Sequence, residues 1–381
     1  MSIVSQIASI LGYSADTAEQ SVIRIGGQII TGWEEEEIRV GIELMPWTAE
    51  LALTSYQPST GSKVTINPGD EAELYIGTDL LLTGYVLSVV ENSGPLSHGL
   101  RVQITSKSID LTDCSAEFST YQMNSTNALA IAQKVTSFAG IDVTSINGAG
   151  NIDVQQFSAI LTETAYEIIE RVCRLACVLF YDQPDGSIAL SGVGTDRLSS
   201  GFVVGKNVEA WTRVRSNLGR YSTVTAITAS TVMLFTEPTE SNYIAEMQAI
   251  SSGVVAKDDS ITRTRPLLVP VELGDQDYAV AKQRVQWEVN RRYARGNTVT
   301  LTCDSWRDTD GNLWRVNKIA SFTDAAGVSA DYLIGEITYR RSRSGTRADV
   351  VLAPAAAYRP EPILNPLLNN ELNVTLQNDG G

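Results

Sequence analysis

The sequence predicts an α+β chain that is mainly β, with two β-rich regions separated by an α/β insert. Many short apolar segments with turn residues between them are typical of barrels and sandwiches, and amphipathic helix patterns interrupt them. The composition of 43% hydrophobic and 19% charged residues over 381 residues is that of a globular protein of about two to three domains. The predicted boundaries are 1–112, 113–205 and 206–353, followed by an extended arm over 354–381.

The first β-rich region follows a weak helix pattern over residues 1–20. Gly26-Gly27 lies between two apolar segments and predicts a tight hairpin. Asn67-Pro68-Gly69-Asp70 predicts a second turn. The segments between the turns alternate apolar and polar residues, which indicates half-buried strands.

The insert combines two helices with a hairpin pattern. Ser125 is expected to cap the first helix, and Gly140 is placed to end it. Thr164 and Glu167 have the spacing of a capping box at the start of the second helix. Helices followed by a hairpin indicate a small α/β unit.

The second β-rich region contains a polar stretch over 238–252, interpreted as a loop, and a third helix over 275–295. Asp275 is a fitting N-cap for this helix, and Gly296 ends it. Strand patterns then continue to the start of the arm. The arm is not expected to form a packed core, because it is rich in Asn and holds four of the twelve prolines, Pro354, Pro360, Pro362 and Pro366.

The composition disfavours several kinds of chemistry. His98 is the only histidine and is expected in a surface hairpin loop, so histidine-based catalysis has few options. Cys173 and Cys177 lie four positions apart on the second helix, where we expect helix packing, because a zinc site needs more ligands. Glycine-rich phosphate loops and a serine-hydrolase elbow are also missing from the sequence. We therefore predict no catalytic, cofactor-binding or metal-binding residues.

The chain is acidic, with a net charge of -15. Acidic surfaces repel the DNA backbone, so tight nucleic-acid binding is disfavoured. Such a surface can instead line a path along which DNA or protein slides. The longest apolar run is shorter than the ~18 residues that a membrane span needs, so no membrane insertion is predicted.

Three charged segments are candidates for function. Glu34-Glu35-Glu36-Glu37 directly follows Trp33; it is either a solvated loop between two strands or a negative channel or rim loop. Arg340-Arg341-Ser342-Arg343 has too few charges and aromatics for a nucleic-acid patch, so a salt-bridged subunit contact is the preferred interpretation. Asp308-Thr309-Asp310-Gly311-Asn312 lacks the later glycine and glutamate of a calcium loop and predicts a turn.

A series of short motifs follows in order over about residues 20–358. The motifs are Asn67-Pro68-Gly69-Asp70, Thr83-Gly84-Tyr85-Val86, Ser106-Lys107-Ser108-Ile109-Asp110-Leu111, Ser305-Trp306-Arg307, Gly311-Asn312-Leu313-Trp314 and Leu333-Ile334-Gly335-Glu336-Ile337. In order and spacing they resemble the baseplate hub proteins of contractile phage tails, in particular the Mu-like hub. The late control protein D group and the base of type VI secretion spikes are more distant matches.

The resemblance implies a ring-forming homotrimer in which each subunit gives two similar β-barrel-like domains. Such a ring adapts a sixfold tail tube to a threefold spike, and its channel passes the tape-measure protein and DNA without specific binding. The implied partners are the tail spike protein, the tail tube and other baseplate proteins. The implied location is the tail baseplate of the virion, after assembly in the host cytoplasm. No catalytic residues or cofactors come with the resemblance.

Two other functions stay open from the sequence alone. A tail-associated cell-wall glycosidase would use two carboxylates, and acidic residues are common here. A host receptor-binding or glycan-binding tail component would expose aromatic grooves. The motifs do not cover the chain after Arg359, and this arm is expected to reach the spike or a neighbouring subunit.

Overall fold

Strands make up 48% of the residues that the structure describes and helices 16%, which confirms the predicted mainly β fold. The structure, a computed structural model, describes residues 19–31, 33–54, 65–94, 97–117, 121–228, 251–271 and 278–362.

The first β region is a series of antiparallel strands whose side chains alternate between a buried and an exposed face. In one strand, Ile38 and Val40 are buried while Glu37 and Arg39 are exposed, as a pleated strand with one covered face requires. The predicted hairpin at Gly26-Gly27 is confirmed, since Ile25 pairs with Gln28. The strands are β1 Ser21–Ile25, β2 Gln28–Ile30, β3 Glu35–Gly41, β4 Thr48–Thr54, β5 Glu71–Ile76, β6 Asp79–Gly94 and β7 Ser97–Ser106.

The insert packs helices and short strands around a hydrophobic cluster of its own. Its elements are α1 Ile109–Asp113, β8 Gln122–Asn127, α2 Ala128–Thr136, β9 Val143–Ser145, β10 Asp153–Ser158, α3 Ala165–Leu175, β11 Leu179–Asp182 and β12 Ile188–Ser191.

The helix ends of the insert were predictable in part. The capping box of Thr164 and Glu167 is confirmed, and Gly140 adopts the left-handed conformation beyond the short 3-10 turn after α2. The predicted cap at Ser125 is wrong. Asn127 caps α2 because its side chain accepts the Ala130 N–H at 2.8 Å, while Ser125 lies within β8.

The second β region carries a smaller three-stranded sheet beside the main one. Helix α4 packs on this small sheet, and its Val285 and Val289 share a hydrophobic cluster with Val224 and Ala226 of the sheet. Gly296 follows the helix as predicted; Asp275 and most of the predicted loop over 238–252 lie outside the described residues. The elements are β13 Phe202–Val203, β14 Val208–Arg215, β15 Thr223–Thr228, β16 Ser251–Lys257, β17 Pro266–Val271, α4 Tyr278–Arg295, β18 Asn297–Cys303, β19 Ile319–Thr323, β20 Ser329–Ser342 and β21 Gly345–Ala353.

The two β regions share one sheet, a connection that the sequence does not predict. The order along this sheet is β14-β18-β21-β20-β3-β4-β7-β6-β5-β1-β2, and it curls into a half-barrel. Antiparallel pairing of β3 with β20 makes the junction. We call β3, β4, β7 and β6 the N-terminal unit, β14, β18, β21 and β20 the C-terminal unit, and these eight strands the joined sheet. A single hydrophobic cluster lies beneath both units.

The beginning of the predicted arm differs from expectation, because it packs against the rest of the chain. Ala357 and Tyr358 are buried in the main cluster, since this part of the arm is apolar. The Trp287 Nε1–H of α4 donates to the Arg359 carbonyl at 2.8 Å. Residues 363–381 lie outside the described residues. Among the helices that the structure describes, none is long and apolar enough to cross a membrane.

Candidate functional site

The two charged clusters singled out in the sequence meet at the junction of the joined sheet. Glu37 of β3 lies opposite Arg340 of β20, and Glu36 lies opposite Arg341. The Arg340 Nε atom is 3.3 Å from Glu37 Oε2. Arg343, in the turn after β20, approaches Glu34 at 3.8 Å. The sequence gives both clusters but not their pairing, because the pairing joins opposite ends of the chain.

The acidic run is not a loop. Glu35, Glu36 and Glu37 lie in β3, while Glu34 forms a bend before it and Trp33 is buried. The run pairs with β20 on one side and β4 on the other. In a strand, successive side chains point to opposite faces, so Glu35 and Glu37 are exposed whereas Glu36 is buried. The expectation that these residues line a channel or rim is not tested by this geometry and stays a prediction.

The exposed face of the joined sheet carries charges of both signs, and many are paired within the chain. Arg39 lies 2.9 Å from Glu336, and Arg340 lies 2.7 Å from Asp349. We call this surface the charged face. Its ionisable side chains, taken from alternate positions of the paired strands, are Glu35, Glu37, Glu50, Glu336, Asp349, Arg39, Arg101, Arg340 and Arg347.

The charged face is therefore polar but close to neutral. Exposed ion pairs of this kind contribute little stability, typically ~0–1 kcal/mol each. Their arginines already have carboxylate partners, so they are poorly placed to hold phosphate groups. Arg340 and Arg343 have partners inside the chain, and their predicted role in a subunit contact stays a prediction.

Glu36 is buried beneath the junction. Its Oε1 atom accepts a hydrogen bond from the Ser21 hydroxyl, while Oε2 has no hydrogen-bond partner. Burial raises the pKa of Glu36 to about 7, although the Ser21 hydrogen bond and the charge of Arg341 act in the opposite direction. Near neutral pH this carboxyl is therefore partly protonated.

A second buried carboxylate, Asp182 of β11, attaches the insert to the first β region. Its Oδ2 atom accepts hydrogen bonds from the Trp47 N–H at 3.0 Å and from the Ser106 and Ser108 hydroxyls at 2.7 and 2.9 Å. Burial raises the pKa of Asp182, against the lowering effect of these donors. The sequence analysis missed this residue, because a single Asp in a strand pattern carries no local signal of its distant partners.

The remaining candidates from the sequence are Cys173, the turn around Gly311 and His98. Cys173 is buried in α3, as expected for helix packing. The predicted turn around Gly311 is confirmed, since its N–H donates to the Asp308 carbonyl at 3.0 Å. His98 lies in β7 rather than in a loop, and its pairing with Ser93 extends the strand to the hairpin turn. Within the described ranges, three or more His, Cys, Asp or Glu side chains nowhere come together to hold a metal ion.

Three family models match the chain in order. The N-terminal domain of the Mu phage baseplate assembly protein GpP-like family matches residues 20–104. The second domain of the baseplate hub protein gp44-like family matches residues 108–192. The fourth domain of the Mu phage baseplate assembly protein GpP matches residues 277–361. Together these matches cover about two thirds of the chain and correspond to the first β region, the insert and the end of the second β region.

Individual relatives agree with the family models. The baseplate hub protein gp44 of Escherichia phage Mu is 25% identical over 346 residues, which is 88% of each chain. The 43 kDa tail protein of prophage MuSo2 from Shewanella oneidensis has the same fold, with a TM-score of 0.73 and 23% identity over 91% of this chain and 100% of the other. The tail protein from Neisseria meningitidis MC58 gives a TM-score of 0.71 and 18% identity over 91% and 99%. The chain belongs to the Mu-like phage baseplate hub proteins.

Proposed function

We propose that the chain is the structural hub of a contractile tail: a homotrimeric ring that adapts the sixfold tail tube to the threefold spike. The observation that carries this proposal is the internal repeat of the joined sheet. Each unit has four antiparallel strands in the spatial order first, second, fourth, third along the chain. Three copies with two equivalent units each present six similar units, which suits a sixfold partner above and a threefold partner below.

The charged face of the joined sheet lines the channel in this proposal. The opposite face is covered by the main hydrophobic cluster, so only the charged face is free to meet a passing polymer. Its cations are paired with carboxylates, and the whole chain has a net charge of -15. A wall without free cations gives DNA few counterion-releasing contacts. The tape-measure protein and DNA would therefore pass without specific binding.

The tail spike, the tail tube and other baseplate proteins are the proposed partners, with assembly in the host cytoplasm before incorporation into the virion. The hub makes and breaks no covalent bond in this account. Support comes from the Mu gp44 relative, whose name is that of a hub protein. The arm after residue 362 is proposed to reach the spike or a neighbouring subunit.

Light scattering on the purified full chain, alone and with its spike protein, tests the proposal. We expect a mass of three chains, at high concentration or after the spike is added. A strictly monomeric chain under both conditions would contradict the ring. Peptidoglycan clearing that is lost on changing one Asp or Glu would contradict the non-enzymatic role, and binding to host surface glycans would favour a receptor-binding component.

A further inference from the structure

A groove of about 530 Å³ lies between the insert, helix α4 and the loop that joins β3 to β4. Half-buried apolar side chains line it from each of these parts: Met45 of the loop, Tyr166 of α3, Phe180 of β11 and Trp287 of α4. The rings of Tyr166 and Phe180 pack with their centroids 5.3 Å apart. Clefts of this size with mainly apolar and aromatic linings are typical of sites that bury an apolar occupant. We call this cleft the arm groove.

The charges at the rim of the arm groove are already matched. Its charged lining residues form ion pairs: Glu43 with Arg291, Glu170 with Arg174 and Glu361 with Arg284. A charged occupant would have to compete with these pairs, and burying a further charge without a partner is costly. The arm groove therefore suits an apolar occupant that carries no charge.

The start of the C-terminal arm leads into the arm groove. Tyr358, Pro360 and Glu361 are themselves part of its lining. The Arg359 carbonyl accepts the Trp287 Nε1–H at 2.8 Å, which holds the arm against α4. The described chain ends one residue beyond Glu361, so the rest of the arm begins at the rim of the arm groove.

The next six residues of the chain have the composition that the arm groove suits. They are Ile363-Leu364-Asn365-Pro366-Leu367-Leu368, with four aliphatic side chains and no charge. Aliphatic side chains gain free energy when they leave water. Six extended residues span up to ~20 Å, which is enough for the segment to lie along the cleft from its rim.

We propose that residues 363–368 dock in the arm groove of their own chain and anchor the arm there. The docked segment covers half-buried side chains of the insert and of α4 together, so it fastens the insert to the second β region. Residues 369–381 stay available for the contact with the spike or a neighbouring subunit that is proposed for the arm. The anchor goes beyond the proposed function and does not depend on the ring.

Photo-crosslinking in the full chain tests the docking. Leu367 is replaced by the photoreactive residue benzoylphenylalanine, and the products of irradiation are mapped by mass spectrometry. We expect crosslinks to the arm groove, on the peptides that contain Tyr166, Phe180 and Trp287. The same replacement at Leu376 is the matched control, because this position lies ~30 Å further along an extended arm. It should give few crosslinks to these peptides.

Isotope labelling separates docking within a chain from docking between copies. Unlabelled and ¹⁵N-labelled chains are mixed, assembled with the spike protein and then irradiated. Crosslinks within one chain join only peptides of the same label, and this is the result that we expect. Pairs of mixed label, or crosslinks from position 367 to the spike protein, would overturn the docking.

Two pairs of substitutions test whether the segment is buried. Leu364→Asp with Leu367→Asp places two charges in the arm groove, so we expect the segment to leave it and the melting temperature to fall. Deuterium exchange over residues 166–180 should rise in this variant. Leu372→Asp with Leu376→Asp adds the same charges beyond the docked segment and should change neither quantity.

Equal melting temperatures for the two Asp variants would overturn the anchor. Crosslinks from position 367 that are spread over the whole surface, as often as those from position 376, would overturn it as well. These outcomes do not bear on the mass of three chains that is expected for the ring, so the anchor and the proposed function fail separately.

Discussion

Arg39 of β3 donates to Glu336 of β20 at 2.9 Å, although the two residues are 297 positions apart in the sequence. The pair lies at the junction of the two units, where both side chains are partly exposed. Exposed ion pairs contribute only ~0.2–1 kcal/mol. The junction therefore depends mainly on its backbone ladder and on the apolar cluster beneath it.

The first prediction follows from this exposure. In a double-mutant cycle of Arg39→Gln and Glu336→Gln, we expect a coupling free energy below about 1 kcal/mol that declines with added salt. Urea unfolding of the four proteins measures it. The Arg174–Glu170 pair on α3, which is also exposed, is the control. Its coupling free energy should be similarly small and should also decline with added salt. A coupling of several kcal/mol would mean that this ion pair holds the units together.

The second prediction concerns the charged face. Replacing Glu35, Glu37 and Glu50 by Lys adds three cations to the charged face and removes the carboxylate that lies 3.9 Å from Arg101, while Arg340 keeps Asp349. We expect the affinity for DNA to rise. The slope of log affinity against log salt concentration should also become steeper, by up to about 0.9 for each new phosphate contact. Fluorescence anisotropy with a duplex DNA measures both quantities.

A matched control separates local from overall charge. Replacing exposed Glu117, Asp153 and Asp259 by Lys changes the net charge equally but away from the charged face. An equal rise in DNA affinity would show that the charged face has no special access to DNA.

The third prediction concerns Glu36, whose pKa is raised to about 7 by burial. A raised pKa means that the folded chain binds this proton more tightly than the unfolded chain does. The contribution of Glu36 protonation to the free energy of unfolding is therefore fully present below the pKa of the unfolded chain, near 4.5. This contribution declines as the pH rises towards 7, by an amount on the order of 3 kcal/mol.

Glu36→Gln should remove this decline. Urea unfolding between pH 5 and pH 8 should show a flatter stability profile than in the parent, while Glu35→Gln on the exposed face of the same strand should leave the slope unchanged. Parallel profiles for Glu36→Gln and the parent would show that Glu36 does not titrate in this interval.

The fourth prediction concerns the attachment of the insert. Asp182→Ala removes the shared acceptor of three buried donors on Trp47, Ser106 and Ser108. The Trp47 N–H still reaches Ser106 Oγ at 3.0 Å, and the Ser106 and Ser108 hydroxyls lie 2.9 Å apart and can bond each other. At least one buried donor then stays unsatisfied, so we expect a loss of about 1–3 kcal/mol in the free energy of unfolding. Asp182→Asn keeps one acceptor oxygen and should cost less. Equal losses for the two variants would indicate that the hydrogen bonds to Oδ2 do not determine the loss in the free energy of unfolding.

The fifth prediction concerns Gly335, which lies at the register shift of β20. A Cβ atom at this position would lie 1.8 Å from the Tyr358 hydroxyl oxygen, so Gly335→Ala must displace the buried start of the arm. Overpacking of this kind costs ~1–3 kcal/mol. Gly192→Ala meets no atom within 4 Å and is the control for thermal unfolding. Equal melting temperatures for both variants would contradict the packing of Tyr358 on the sheet.

Features that depend on neighbouring residues are predictable from this sequence, whereas features that depend on distant residues are not. The capping box at Thr164 depends on residues three positions apart, so the sequence contains all of it. The cap at Ser125 was misplaced by two residues, because several polar residues precede α2 and local pattern does not choose between them.

The acidic run was misread for a different reason. Four successive carboxylates are typical of a solvated loop, unless basic side chains on a neighbouring strand offset the charges of alternate carboxylates. Here the partner is β20, with Arg340 opposite Glu37. Glu36 and Asp182 were missed as buried groups because the side chains that surround them come from remote parts of the chain.

Electron microscopy of the purified full chain, assembled with its spike protein, tests the central claim most directly. The account predicts a closed ring of three chains whose central hole is lined by the charged face, with Glu37 and Arg340 on the inner wall. A ring with this face turned outward, or a map that contains only separate chains, would contradict it.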